Sequence, residues 1–338
     1  MREEVVLITG ANGEIGHGLV DHLAEAGIPI IALDLNPLDE GLHSKVSRFY
    51  QGDILDQQLI AKISAQHKIG TIYHLASILS TKAEHNPELA HRINVDGTMN
   101  LLKIAVEQGK DRERAVKLIY PSSIAAYGLP DLETKANAGK VREDQFCEPI
   151  TMYGVNKLYC ENLGRYYSKH YRQLSSGNDA TETVDFRAIR FPGLISAQTV
   201  PTGGTSDYGP EMLHAAAKAV AYPCFVRPDA VLPFMVMPDA VKSLIMLEGA
   251  DRSLLHQSVY NVTSFNPTAQ EIYDITLTAF PNAQIKFAPD QKRQRIVDSW
   301  PSDTDDQAAR KDWGWQPDYD QTRSFEEYLI PSIREQYR

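Results

Sequence analysis

Tyr153 and Lys157 lie four residues apart in the stretch TMYGVNK, Thr151 to Lys157. On a helix that spacing sets a phenol and an ammonium group one turn apart on the same face. A nearby cation favours phenolate and draws a tyrosine pKa down from about 10 toward working pH, which proton exchange with an alcohol or carbonyl requires. Alone the pair is ordinary, since most such neighbours share a solvated helix face. Chemistry needs a cofactor and a second polar group beside it. Ser123 is a candidate for that group. It ends Lys117-Leu-Ile-Tyr-Pro-Ser122-Ser123, which reads as a strand, and a serine at a strand's carboxyl edge can hydrogen-bond a substrate oxygen and Tyr153 together. A turn serine capping its own backbone is the plainer reading, and Tyr153 is what tips the balance.

The elements that must position these residues are legible upstream. Val5-Val-Leu-Ile8 is a continuous apolar run, the mark of a strand buried on both faces of a parallel sheet. It runs into Thr9-Gly10-Ala-Asn-Gly13-Glu-Ile-Gly16, then a helical pattern through Leu19, Val20, Leu23 and Ala24 to Gly27. In a strand, glycine turn and helix, the first glycine allows the turn, the second admits a pyrophosphate and the third lets helix pack on strand. The next strand, Ile28 to Leu33, ends in Asp34, where a carboxylate accepts from ribose hydroxyls and repels a 2′-phosphate, favouring NAD over NADP. Further strands are expected over Arg48 to Ile54, Thr71 to Ser77, Lys117 to Ser123 and Val184 to Phe191. Asp53 can meet an adenine amino group or serve as a cap near the helix starting at Asp56. His74 reads as a buried core histidine rather than a base. A loop from Ile78 to Pro87 is expected to lead to a helix with Asn94, Gly97 and inward leucines at 101 and 102.

The chain has 338 residues, 43% of them hydrophobic, enough for a large core. Its formal charge of -10 argues against nucleic-acid and anionic-membrane partners. Cys147, Cys160 and Cys224 are too scattered for a disulfide framework or a zinc knuckle, so reduced thiols, a cytoplasmic location and no metal are expected. The residues before Val5 leave no room for a signal peptide, and no apolar run has the length of a membrane span.

Gly10-x-x-Gly13-x-x-Gly16, Asp34, Gly52-Asp53, His74-Leu-Ala-Ser77, Asn94-x-x-Gly97, Ser122-Ser123 and Tyr153-x-x-x-Lys157 together resemble the extended short-chain dehydrogenase/reductase superfamily. The resemblance implies an α/β fold: a Rossmann-type doubly wound parallel sheet with a smaller carboxyl-terminal substrate lobe. Residues 1–192 would form the NAD-binding domain and 193–338 mainly the lobe, with some segments returning to the sheet. It implies NAD held by Gly10, Asn12, Gly13, Glu14, Ile15 and Gly16 of the turn. Asp34, Asp53, Ile54, Leu75, Ala76, Ser77, Asn94, Tyr153 and Lys157 would complete the cofactor site. In that superfamily the serine four residues before a Tyr-Gly pair, here Tyr127-Gly128, assists the catalytic tyrosine, which gives Ser123 the part. Lys157 would hold the nicotinamide ribose and lower the Tyr153 pKa.

The carboxyl half chooses among the superfamily's reactions. Arg190-Phe-Pro-Gly-Leu-Ile-Ser196, Pro201-Thr-Gly-Gly-Thr205-Ser206-Asp207-Tyr208, Leu232-Pro-Phe-Met-Val-Met-Pro-Asp239, and Ser299-Trp-Pro followed by Ala309 to Trp315 closely resemble the short-chain-type L-threonine 3-dehydrogenases. The polar stretch Ser175 to Thr183 reads as an exposed insertion. The activity implied is NAD-dependent oxidation of the 3-hydroxyl of L-threonine, by a homodimer. Ser80, Ser123, Tyr153 and Thr205 would contact this small amino acid, and Ser206 could add a hydroxyl. A nucleotide-sugar epimerase or dehydratase with tightly held NAD stays open, as does a non-catalytic dinucleotide sensor. Sugar nucleotides need fixed cations for a diphosphate, whereas Val231 to Asp239 is apolar, the surroundings expected of a small substrate; Arg227 could still turn inward. Trp313 and Trp315 are expected to dock the tail onto the core.

Overall fold

The apolar runs become one sheet, in a computed structural model that describes residues 3–174, 183–199 and 203–338. Strands β1 (Glu4–Thr9), β2 (Ile30–Asp34), β3 (Arg48–Gln51), β4 (Lys68–His74) and β5 (Val116–Ser123) are joined by Val184–Phe191 and Val259–Asn261. Their spatial order is Val259–Asn261, Val184–Phe191, β5, β4, β1, β2, β3, and every pair is parallel. Thr9 pairs with Leu33 and with His74, and Ser123 with Phe191, so the glycine turn, Asp34, His74 and Ser123 all leave the sheet at its carboxyl edge.

Parallel strands need crossovers that cover both faces, hence side chains apolar in both directions. Leu7, Leu33, Ile72 and Leu118 pack on one face with Leu101 and Leu102 of helix Gly97–Arg112 and Cys160 of helix Met152–Lys169. Ile8, Ala32, Tyr73 and Ile119 take the other with Leu19, Val20 and Leu23 of helix Glu14–Glu25 and Val241, Leu244 and Leu247 of helix Met237–Gly249. A third core, including Tyr208, Leu213, Phe234, Phe265, Trp300 and Phe325, lies beyond the sheet edge.

Two expectations change. Ile78 to Pro87 is not a loop throughout: Ser80–His85 forms a short helix, and Pro87–His91 begins another with Asn86 as its N-cap. The Asn86 side chain accepts from Leu89 N, and Pro87 at the first helical position loses no bond. Residues 175–182 of the supposed insertion, and 200–202, which include Pro201, lie outside the described residues. The second change is that Phe234–Val236 is a fully buried strand paired with Gly193–Ile195, so the apolar stretch around Met235 is core and not a wall facing substrate. The tail docks as expected, Trp315 fully buried and Trp313 edge-on to Tyr260 at 5.9 Å. Cys147, Cys160 and Cys224 are free thiols. Among the described residues no helix is long and apolar enough to cross a membrane.

Candidate active site

Thr151 opens the helix Met152–Lys169 by accepting from Gly154 N at 3.1 Å, as a threonine N-cap should. Gly154 has no room for a side chain because the Ala125 carbonyl lies against it, so the helix start rests directly on the turn after β5. That brings Tyr153 and Ser123 into one cavity wall, near enough for the serine hydroxyl to act on the phenol. Ser123 Oγ also accepts from Ala125 N at 3.1 Å, the bond of a turn serine capping its own backbone. Ser122 is committed elsewhere, donating to the buried Glu161 carboxylate.

The electrostatics differ from those the spacing suggests. Lys157 Nζ donates to the Pro121 carbonyl at 2.7 Å, lies 4.5 Å from the Tyr120 ring centroid and 5.4 Å from that of Tyr153. Burial lowers its pKa to about 8, against the pull of Cys160 and Glu161. Tyr153 is not brought down. Burial pushes its phenol above the ordinary value, and the Ser123 hydroxyl opposes that rise. The ammonium is spent on a carbonyl and a ring, and desolvation outweighs what one exposed helix turn would have given. His74 is the core residue expected, buried between Thr9 Oγ1 at 2.8 Å and Thr98 Oγ1 at 3.0 Å, with burial lowering its pKa to about 3.

The glycine turn is built for close approach. Gly10 has φ +71°, and a Cβ there would meet Ala76 N at 2.7 Å. Gly16 touches the Ala11 carbonyl, whereas a side chain on Gly13 would meet only Gly10 O and otherwise fill open cleft at the helix N-terminus. That cradle fits a diphosphate. The Asp34 carboxylate accepts from Asn12 N and Asn36 N, each at 3.0 Å, and so ties the turn to the end of β2. Asn94 braces the next loop, accepting from Ile78 N at 2.7 Å and from Ser77 Oγ at 3.1 Å.

A cavity of about 550 Å³ joins these parts. Gly10, Asn12, Gly13, Glu14, Ile15 and Gly16 line one end, with Leu75 and Ser77 alongside; Ser80, Ser123, Tyr153, Lys157 and Thr205 line the other. Ala76 N reaches Thr9 Oγ1 at 3.4 Å just behind this wall. Asp34, Asp53, Ile54, Ala76 and Asn94 are not in the wall itself. Asp53 is exposed and accepts from Leu55 N, while Asp56 caps the following helix; Ile54 is core.

In the second half of the cavity Thr205 N and Thr205 Oγ1 both donate to Ser80 Oγ, at 3.2 and 3.1 Å, with all groups buried. Ser206 lines the same wall. Trp300, Thr199 and Asp207 also line it, although the sequence singled out none of them for the site. Trp300 had a signal in Ser299-Trp-Pro, but an isolated tryptophan says nothing of which cavity it faces. Arg227 is turned away, holding Asp298 at 2.9 and 3.0 Å and Asp229 at 3.0 Å. Among the described wall residues Lys157 is the one Lys or Arg.

The chain is similar over nearly its whole length to bovine mitochondrial L-threonine 3-dehydrogenase, with 33% identity over 327 residues, 94% of this chain and 80% of the bovine one. A solved monomeric L-threonine 3-dehydrogenase from a metagenome shares 35% identity at a TM-score of 0.85, covering 99% of this chain and 100% of that one. A GalE-like L-threonine dehydrogenase from Cupriavidus necator, in its holo form, shares 32% at 0.83, covering 99% and 100%. The family model for the NAD dependent epimerase/dehydratase family matches residues 6–263. With that match spanning most of the chain, and a glycine cradle beside Ser123, Tyr153 and Lys157, the protein belongs to the NAD dependent epimerase/dehydratase family.

Proposed function

We propose that the protein oxidises L-threonine at its 3-hydroxyl to 2-amino-3-oxobutanoate with NAD. The observation that carries this is the wall of the cavity. Besides Ser123, Tyr153 and Lys157, the wall holds the hydroxyls of Ser80, Thr199, Thr205 and Ser206, Trp300 and the carboxylates of Glu14 and Asp207, with no guanidinium among the described wall residues. A zwitterion of this size needs such a wall, whereas a nucleotide-sugar diphosphate needs fixed cations. The near full-length similarity to L-threonine 3-dehydrogenases supports the same substrate. Arg227, the cation whose place in the sequence left a diphosphate open, is held by Asp298 and Asp229.

In this reading the Gly10–Gly16 turn receives the diphosphate, Asp34 the adenosine ribose, and Ser77, Tyr153 and Lys157 the nicotinamide end. Ala76 and Asn94 shape the loop between them, and Asp53 with Ile54 borders the adenine. NAD supplies the acceptor for the hydride that leaves C3. The hydroxyl proton goes to Tyr153 as phenolate, Ser123 holds the substrate oxygen, and Ser80 with Thr205 bounds the substrate on the far side. Because burial resists charge on the phenol, the reaction should quicken as pH rises. Residues 1–192 would bind the dinucleotide and 193–338 mainly close over substrate, returning Val259–Asn261 to the sheet.

The protein's surface and its thiols bear on its assembly and its location. The helix of Tyr153 carries Val155, Tyr159 and Tyr166 exposed, with Leu89 exposed on a helix packed against it, a face suited to a homodimer. Three free thiols suit the reducing cytoplasm. Light scattering decides the first.

The decisive assay follows NADH at its absorbance band with L-threonine, L-serine, 3-hydroxybutyrate and UDP-sugars in turn. L-Threonine should give the largest kcat/KM. A flat trace with L-threonine, or UDP-sugar turnover without net NADH, would remove the assignment.

A further inference from the structure

Behind the substrate half of the cavity lies a cation that the reaction does not use. Arg293, on the helix Gln291–Asp298, is outside the cavity wall. Its guanidinium lies 3.1 Å from the Phe225 ring centroid and donates from Nη2 to the Gly204 carbonyl at 2.9 Å; its Nε is buried without a partner. Gly204 belongs to the turn Gly203–Asp207, which starts with Gly203 at φ +99°. The Asp207 carboxylate accepts from Gly203 N at 3.0 Å and from Gly204 N. On the cavity side the same turn projects Thr205 to Ser80.

The turn is therefore held by two clamps of opposite sign. Asp207 gathers its N–H groups, and Arg293 pulls on its carbonyl from behind. Arg293 also faces Glu211, which accepts from Tyr222 Oη at 2.5 Å; burial raises the pKa of both Asp207 and Glu211, and the Arg293 charge opposes each rise. Without that charge the Asp207 and Glu211 carboxylates would lose their shared cation, and Gly204 O would keep only the long bond from Asp207 N at 3.4 Å.

We propose that Arg293 is a positioning residue for the substrate: by fixing Gly204 it sets the turn Gly203–Asp207 so that Thr205 and Ser206 face the bound amino acid. This rests on the reading of the cavity as an amino-acid site. It is distinct from any direct contact, since Arg293 reaches neither the substrate half nor the glycine cradle.

The test compares Arg293→Met and Arg293→Lys with the full-length parent by two readouts. Hydrogen exchange needs no substrate. In Arg293→Met, amides of the 203–207 segment should exchange at least about tenfold faster, with β5 and the Gly10–Gly16 turn unchanged and Arg293→Lys between the two. In steady-state assays Arg293→Met should raise KM for L-threonine roughly 10- to 100-fold, the worth of one charge-assisted hydrogen bond, while kcat and NAD affinity move less than about threefold; lysine should restore part of the loss. Parental exchange in 203–207, or an unchanged KM, would overturn the proposal. So would acceleration spread over β5 and the glycine turn, or a parallel loss of NAD affinity, since either marks general loosening. If the parent leaves L-threonine unoxidised, the assigned reaction fails, and the exchange readout alone still decides the role of Arg293.

Discussion

Removing the Ser80 hydroxyl should cost more than one hydrogen bond. Ser80 is 5% exposed and Thr205 3%, so water cannot take the place of a lost partner. In Ser80→Ala the Thr205 N–H, which now has its acceptor at 3.2 Å, is stranded along with Thr205 Oγ1 at 3.1 Å. A buried donor left unmade costs about 1–3 kcal/mol, so Ser80→Ala should lose about 2 kcal/mol. Thr205→Val keeps the N–H bond and removes only the hydroxyl contact, at about 1 kcal/mol. In the double variant the hydroxyl contact is lost once rather than twice, so the coupling energy should be about 1 kcal/mol. Urea unfolding of the four proteins, followed by tryptophan fluorescence, closes this cycle, and KM for L-threonine measured alongside should rise in the same rank order. Strict additivity, within about 0.3 kcal/mol, would mean that the two hydroxyls do not act as a pair and that the contact between helix Ser80–His85 and the turn is incidental.

Tyr153→Phe should reduce kcat by roughly 10²- to 10⁴-fold with NAD affinity within about twofold, because the phenol hydroxyl carries the proton while the ring keeps its packing; the parent's rise in rate with pH should vanish in this variant, and a retained rise would place the base elsewhere. Gly16→Ala should abolish NAD binding by calorimetry, since a Cβ there runs into the Ala11 carbonyl and must shift the cradle. His74 gives an acid signature. Burial lowers its folded pKa from 6.5 to about 3, so below pH 6.5 the unfolded chain takes up a proton that the folded one refuses, and stability falls as pH drops. Between pH 6.5 and 5 that amounts to about 2 kcal/mol, at about 1.4 kcal/mol per pH unit, and His74→Gln should flatten this part of the urea-midpoint curve against pH.

Much of this architecture can be read from residues close together in the chain. A strand, a glycine turn and a helix occupy adjacent positions, and the apolar character of Val5 to Ile8 and of Val184 to Phe191 follows from burial on both faces. Tyr153 and Lys157 are on one helix turn, so their nearness was legible; their charges were not. Spacing says nothing of the Pro121 carbonyl that engages Lys157, nor of the desolvation that raises the Tyr153 pKa. Met235 misled for a related reason, since an apolar run suits a cavity wall and a core strand equally, and only the pairing with Gly193–Ile195 decides. Ser80 and Thr205 were both named, yet their mutual bond joins residues 125 positions apart and carries no sequence pattern. Arg293 and Trp300 belong to the same class, defined by what the folded chain brings near them.

The edge strand Val259–Asn261 has a bearing on how the protein is made. It pairs with Val184–Phe191, and its Asn261 accepts from Tyr127 Oη at 2.8 Å and donates to the carbonyls of Val141 and Asp305 at 3.0 and 3.2 Å. One asparagine thus joins segments from the first half of the chain to one near its end. During synthesis the nucleotide-binding part emerges early, but its sheet stays open at that edge until residues past 261 have left the ribosome, and Asn261 is satisfied only when 305 follows. An unpaired parallel edge is an invitation to wrong partners. The nascent chain should therefore depend on chaperone cover late in translation, and carboxyl-terminal truncations that remove Asp305 should aggregate rather than fold as a smaller dinucleotide-binding domain.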